Sequence, residues 1–253
     1  MIDRRRLLFT AAAGAALAAS GQTAGTADAQ ETTSYELGTK WELFDRHLLV
    51  TAALFQTEKE NARESMNVTA ATATAACPYP AGTTGSVSCI SAGAAYRIRG
   101  IDLGVGGKIT DKWSMFGGLV LMQSEVTKSN IPPANTALYT TNVGLPLSNV
   151  AHQSFSMLTK YQLTDIWELG GQAVYRSKVY GGTFLAANQG TSIPSYWRFD
   201  AFAEAKIDKH WTVKLFVNNI FDKRYYDALY QSAAPFVLEA PGRAAYLVVS
   251  ARY

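Results

Sequence analysis

The residues best suited to chemistry are arginines, lysines and tyrosines that recur at short spacing. Tyr96, Arg97 and Arg99 form one group, Arg176, Lys178 and Tyr180 a second, and Tyr196 and Arg198 a third. Guanidinium and ammonium groups can hold anions, and phenol rings can stack or accept a cation. The same residues can instead line a hydrated wall, paired with Asp102, Glu168, Asp200 and Glu204, and this plainer reading is preferred. Catalysis fits poorly. An enzyme needs a clustered acid, base or nucleophile, and no Ser/His/Asp arrangement is visible. His47, His152 and His210 are far apart, each beside a turn or strand start, and read as interfacial polar residues. No metal site and no cofactor is expected. Cys77 and Cys89 lie in a stretch rich in Ala, Thr, Gly and Ser. In an exported chain they read as a disulfide closing a short loop. A two-cysteine metal site is the rival, and it has no histidine nearby.

The first residues point to export. Arg4, Arg5 and Arg6 precede a modest, alanine-rich apolar run from about Leu7 to Ala18, and Ala27-Asp28-Ala29 fits a small-x-small cleavage site. Residues 1–29 are therefore assigned as an export signal, with a mature chain starting at Gln30. The Asp3–Leu8 stretch resembles a twin-arginine signal; an ordinary Sec signal is the alternative. The net charge is +3 for the whole chain and about +2 without the signal, too small to argue for nucleic acid. No later stretch has the 18 or more apolar residues of a membrane helix.

The elements that must position these residues show in the alternation. In SYWRFDAFAEAKI, Trp197, Phe199, Ala201, Ala203, Ala205 and Ile207 share one parity, and Tyr196, Arg198, Asp200, Glu204 and Lys206 the other. That is a strand with an apolar and a largely polar face. About nine such segments are expected, near 34–44, 47–60, 94–109, 112–127, 152–163, 166–179, 195–207, 210–219 and 243–253. Tight turns at 44–46, 110–112, 163–165 and 207–209 alternate with long loops near 61–93, 128–151, 180–194 and 220–242. Short turns on one side and long loops on the other mark an outer-membrane β-barrel. Trp113, Trp167 and Trp211 each follow a tight turn, which sets indoles at one membrane interface. Trp41 approaches the first turn from the other side, and Trp197 falls near the opposite rim. A soluble β-sandwich with buried tryptophans fits poorly with the long segments and the polar second face.

The chain closes on RAAYLVVSARY, in which Leu247, Val249 and Tyr253 share a parity and Tyr246 precedes them. This reads as the C-terminal assembly signal of outer-membrane barrels, a strand edge waiting to pair. Several stretches resemble TonB-dependent outer-membrane receptors: YELGTKWELFDRHLLVTAALFQTEKENARE, YRIRGIDLGVGGKITDKW, and VNNIFDKRYYDALYQ followed by PGRAAYLVVSARY. The run Asn218–Tyr226 is the most specific, and the subgroup is similar to catecholate or iron-siderophore receptors. Within it, Asn218 and Asn219 leave the membrane while Phe221, Tyr225 and Tyr226 sit at the rim. It reads as a strand-to-loop transition and not as a binding site.

The resemblance covers nearly everything after residue 33 and implies an all-β, antiparallel transmembrane barrel segment over residues 30–253. Family members are about 22-stranded barrels with an N-terminal plug. The chain resembles only about their last third, without the plug or its contact segment for the energy-coupling TonB protein. An odd strand count implies an incomplete barrel, or a count off by one. The implied location is the outer membrane of a Gram-negative bacterium after signal cleavage. Implied partners are outer-membrane lipid, the barrel assembly machinery and, for the intact family, a ferric siderophore. The implied parent activity is ferric-siderophore uptake, without transport by this chain alone. The alternative is a small autonomous barrel of eight or ten strands, acting as a passive pore or structural protein. Iron–catecholate complexes are anionic and aromatic, so the arginine and tyrosine groups would be their contacts. Arg97 and Arg99 share the parity of the lipid-facing Ile101 and Leu103, which would set them above the membrane.

Overall fold

The computed structural model describes residues 8–11, 29–133, 136–182, 185–230 and 236–252. Residues 1–7 and 12–28 of the anticipated export segment, and the terminal Tyr253, lie outside them. All regular structure among the described residues is strand: β1 (Leu8–Ala11), β2 (Glu31–Leu43), β3 (Leu48–Val68), β4 (Val87–Thr110), β5 (Trp113–Lys128), β6 (Gln153–Gln162), β7 (Trp167–Arg176), β8 (Val179–Gly182), β9 (Ala187–Ile193), β10 (Tyr196–Lys206), β11 (Trp211–Asn218), β12 (Tyr226–Tyr230), β13 (Phe236–Glu239) and β14 (Ala244–Ala251).

Ten of these form one sheet in the order β1-β2-β3-β4-β5-β6-β7-β10-β11-β14. Every pairing is antiparallel, so the sheet is a meander. The nine expected strands are β2–β7, β10, β11 and β14. The tenth, β1, lies inside the anticipated export segment and pairs Leu8 with Lys40 and Ala11 with Leu37. The edge strands β1 and β14 are not bonded to each other, so the sheet is open among the described residues.

The tight turns show why the tryptophans recur. The Trp113 amide donates to the Thr110 hydroxyl and the Trp167 amide to the Thr164 hydroxyl. At the third turn, Asp208 Oδ1 accepts from both His210 and Trp211. In each case a short polar side chain three residues earlier satisfies the first amide of the returning strand. The remaining turn, at 44–46, instead puts Phe44, Asp45 and Arg46 at φ 51, 53 and 71°, and the His47 amide closes on the Phe44 carbonyl. Gly107, at φ 138°, lies against the His47 backbone, where a side chain would collide with the turn.

Three of the anticipated loops are partly strand. β3 and β4 run on to Val68 and from Val87, past register shifts between Lys59 and Glu64. Asn61, at φ 54°, takes up one of these bulges. The bulges break strict alternation, which hid the extension from sequence. In the regions anticipated as the loops near 180–194 and 220–242, β8 pairs with β9 and β12 with β13.

Register separates two faces. On one, Leu37, Leu54, Ile101 and Leu121 form a row across four strands. Leu103, Leu119, Phe155, Tyr175 and Trp197 form another. Near the turns, Trp113, Tyr161, Leu169, Ala203, Leu215 and Leu247 form a third. Most of these side chains stay open, and Leu247 keeps 66% of its surface exposed, while Leu119, Phe155, Tyr175 and Ala203 are half-buried. Burial sits instead among the loops, where Ala62, Ala94, Val126, Leu145 and Leu147 pack together with Leu185.

Candidate functional site

The opposite face is largely polar, and several of its charges are paired, although Asp102 has no ion-pair partner among the described residues. Glu168 and Glu204 stand directly across the β7–β10 pair, where like charges repel. Each has its own lysine: Lys160 lies 3.1 Å from Glu168 and Lys214 lies 3.2 Å from Glu204. Lys214 also sits over the rings of Phe202 and Phe216, at 4.2 and 4.8 Å.

At the loop end of this face the third group of site residues meets the Asn218–Tyr226 run. Arg198 pairs with Asp200 at 2.9 Å and also meets the Tyr225 hydroxyl. Asp200 accepts the Asn219 amide at 2.8 Å. Asn219, at φ 51° and 2% exposed, donates its side-chain amide to the Lys223 and Pro241 carbonyls and accepts the Lys223 amide. Asp222 accepts from the Arg243 amide, and Arg224 pairs with Glu239. The run is a fastening that turns β11 out of the sheet and anchors both ends of the following loop. Phe221 points the other way, 71% exposed and edge-on to Phe199.

Arg176 extends the same fastening. Its guanidinium donates to the carbonyls of Tyr226 and Asp227 at 2.7 and 2.6 Å, and lies 5.0 Å from the centre of the Tyr196 ring. Tyr196 packs on Tyr225 at 4.4 Å. Of the acids expected to pair with these bases, Asp200 is a partner of Arg198. Arg176 uses loop carbonyls instead, with Asp227 at 3.9 Å.

The eight candidate ligand residues thus fall in separate places. Arg176, Tyr196 and Arg198 share the fastening. Lys178 lies 4.7 Å over the Tyr180 ring. Tyr96 packs under the inward loops, and that burial raises its phenol pKa. It lines a cavity of about 270 Å³ with Lys59, Arg63, Leu147 and Val150. Arg97 and Arg99 project from the apolar face, in rows beyond Leu54–Ile101–Leu121. Arg97 is held by Glu125, and by Glu58 at 3.7 Å. The Glu125 hydrogen bond, with both negative charges, pushes the Arg97 pKa upward. A cavity of about 400 Å³ beside it is lined by Arg97, Arg99, Gln123, Glu125, His152 and Tyr180.

Sequence reading missed Lys59, Arg63 and Glu64. Glu64 is 1% exposed and accepts from the Ser129 hydroxyl and the Asn130 amide, tying the β3–β4 hairpin to the next loop. It lay in a presumed loop, where alternation gave no signal. Cys77 and Cys89 are bonded to each other, and Cys77 is buried with Val68 and Ile131. The tryptophans keep to the apolar face: Trp113, Trp167 and Trp211 stand at the turn end, with Trp41 three residues before its turn. Trp197 lies at the loop end, 4.8 Å from Tyr175 and 5.7 Å from Phe155. In β14, Leu247 and Val249 face with Leu215 and Val213, whereas Tyr246 faces the polar side beside Phe216.

Comparison with known proteins gives concordant results. Residues 8–220 match the family described as TonB dependent receptor-like, beta-barrel. The probable TonB-dependent siderophore receptor PiuA of Acinetobacter baumannii is 33% identical over 89% of this chain and 27% of its own length. The probable TonB-dependent receptor BfrD of Bordetella pertussis is 34% identical over 86% of the chain and 26% of its own length. The crystal structure of PiuA superposes with a TM-score of 0.70 at 32% identity, covering 88% of this chain and 29% of that one. The chain thus spans little more than a quarter of these receptors.

Proposed function

The chain belongs to the TonB-dependent receptor-like β-barrel family, and from that premise we propose that it forms part of the wall of an outer-membrane receptor for ferric siderophores. The observation that carries this reading is the match to PiuA, a probable siderophore receptor, over 89% of the chain. In this reading the apolar face meets lipid, the polar face lines the lumen, the tight turns are periplasmic and the long loops extracellular. Residues 1–29 serve export and leave with the signal, β1 among them, so the wall is made by β2–β7, β10, β11 and β14; the barrel assembly machinery recognises β14.

Arg176 and Arg198 act mainly as wall and loop anchors, because Arg176 donates to two loop carbonyls and Arg198 pairs with Asp200, while Tyr196 packs its ring between Arg176 and Tyr225. Tyr96, with Lys59 and Arg63 around the smaller cavity, offers the ligand contacts, whereas Tyr180 lines the larger cavity beside Arg97 and Arg99. Cationic groups beside phenol rings and an apolar floor suit an anionic aromatic iron complex. Energised uptake, with TonB as partner, belongs to the whole receptor, and this chain by itself is expected not to transport. Two measurements test the reading. The chain should fractionate with the outer membrane. Cells carrying it as their sole receptor should show no siderophore-dependent iron uptake. Recovery in the soluble periplasm refutes the wall assignment, and ligand-dependent uptake refutes the transport statement.

A further inference from the structure

We infer that the outer wall around Arg99 is a binding site for the phosphate of a lipid headgroup in the outer leaflet. The inference rests on the membrane orientation proposed above. Three consecutive rows on the apolar face carry it. The first is Leu37–Leu54–Ile101–Leu121, apolar throughout and exposed by 57, 55, 38 and 37%. The next row toward the loops is Tyr35–Gln56–Arg99–Gln123. The third is Thr33–Glu58–Arg97–Glu125. Successive rows on one face are two residues apart, roughly 7 Å. The chemistry therefore passes from acyl-chain contact to hydrogen-bond donors to an acidic ion-pair group within about 14 Å.

Arg97 and Arg99 differ although they are two residues apart. Arg97 stands between two carboxylates, and the three together carry one net negative charge. Arg99 stands between two amides, and among the described residues its guanidinium has no partner. Gln56 donates to Glu58 at 3.1 Å, which ties the middle row to the upper one. Arg99 and Gln123 open together into the cavity of about 400 Å³ that His152 and Tyr180 also line. Glu125 borders the same space and is drawn to Arg97; because Glu58 shares that guanidinium, one net negative charge remains there, and a phosphate has to sit on the Arg99 side. An uncommitted guanidinium and an amide, one row above exposed leucine and isoleucine, match a phosphate whose acyl chains lie on the row below. Tyr35, 59% exposed in the donor row, is the amphipathic residue expected at that depth. The same donors could hold a free phosphate ion; the apolar row immediately below favours the lipid.

The test uses the full chain folded into phosphatidylcholine vesicles containing a minority of phosphatidic acid. The chain is extracted gently, and its bound lipids are counted by native mass spectrometry. Phosphatidic acid should be enriched over its share in the vesicle, and diacylglycerol, which lacks the phosphate, should not. Arg99→Gln should lower the enrichment about fivefold, the equivalent of ~1 kcal/mol for one exposed charge-assisted contact. Arg99→Lys should restore part of it, and Lys206→Gln, an equal charge loss at the turn end, should leave it unchanged. Equal enrichment in Arg99→Gln overturns the inference, as does equal retention of diacylglycerol. Release of the lipid by inorganic phosphate at comparable concentration assigns a free-anion site and overturns it too. A chain recovered outside the vesicles overturns both the wall reading and this one; an inserted chain without enrichment overturns this one alone.

Discussion

Replacing Arg176 with alanine should release the β12–β13 hairpin while leaving the wall intact. The guanidinium makes two hydrogen bonds, to the carbonyls of Tyr226 and Asp227 at 2.7 and 2.6 Å. It also lies 5.0 Å from the Tyr196 ring centre. A hydrogen bond from a charged donor contributes about 1.5–3 kcal/mol when buried. The Arg176 side chain is 22% exposed, so the lower end applies to each. Two such bonds give about 3 kcal/mol, and the exposed Asp227 carboxylate adds little. That corresponds to roughly a hundredfold change in the local opening equilibrium. Hydrogen exchange of the amides in Tyr226–Tyr230 and Phe236–Glu239 reads this directly, since exchange by local opening follows its free energy. The amides of β7 and β10 that pair across the sheet serve as the internal reference. Arg176→Lys keeps the charge but not the two-pronged geometry, and should fall between. Unchanged exchange in the hairpin with Arg176→Ala would refute the anchoring role. Equal acceleration throughout β7 and β10 would show that Arg176 supports the sheet and not the loop.

Three further outcomes follow from particular contacts. Reducing the Cys77–Cys89 bond, which spans a separation of 12 residues, should cost roughly 3 kcal/mol of local stability. It should open the 69–86 segment to protease, with no change in the fragments from the tight turns. Glu64→Leu removes the acceptor for the Ser129 hydroxyl and the Asn130 amide. It should destabilise the junction of the two loops by about 2–3 kcal/mol, seen as faster exchange at residues 129–131; Glu64→Gln should cost less. Asp208→Ala leaves the His210 and Trp211 amides without their acceptor. With both amides exposed to water the loss should be about 1 kcal/mol, read as a lower urea midpoint for the membrane-inserted chain; Asp208→Asn should recover most of it.

The strands were legible because their signal is local. A period of two in ten residues is enough to assign both faces of β10, and Trp197, Phe199 and Ala201 lie where that period sends them. The turn chemistry was also half visible. The polar residue three places before Trp113, Trp167 and Trp211 stands in the sequence, although only the hydrogen bonds show that it receives the tryptophan amide. Legibility failed where the period failed. Asn61 bulges, so the continuation of β3 to Val68 looked like loop, and Glu64 went unnoticed within it.

What the sequence by itself determined is the alternating two-faced strands, the asymmetry of turns and loops, the tryptophans that follow the tight turns and the likeness to TonB-dependent receptors. These depend on residue type at neighbouring positions, and the side-chain period of a strand carries them without further information. Only the tertiary structure decided which basic residues are occupied. Arg176 finds its carbonyls 50 and 51 residues away, and Glu64 meets Ser129 across 65. Arg97 and Arg99 share strand, face and spacing, yet one meets two carboxylates and the other two amides. That difference is set by the register of β3 and β5 against β4, and register is a property of paired strands that no single stretch of sequence contains.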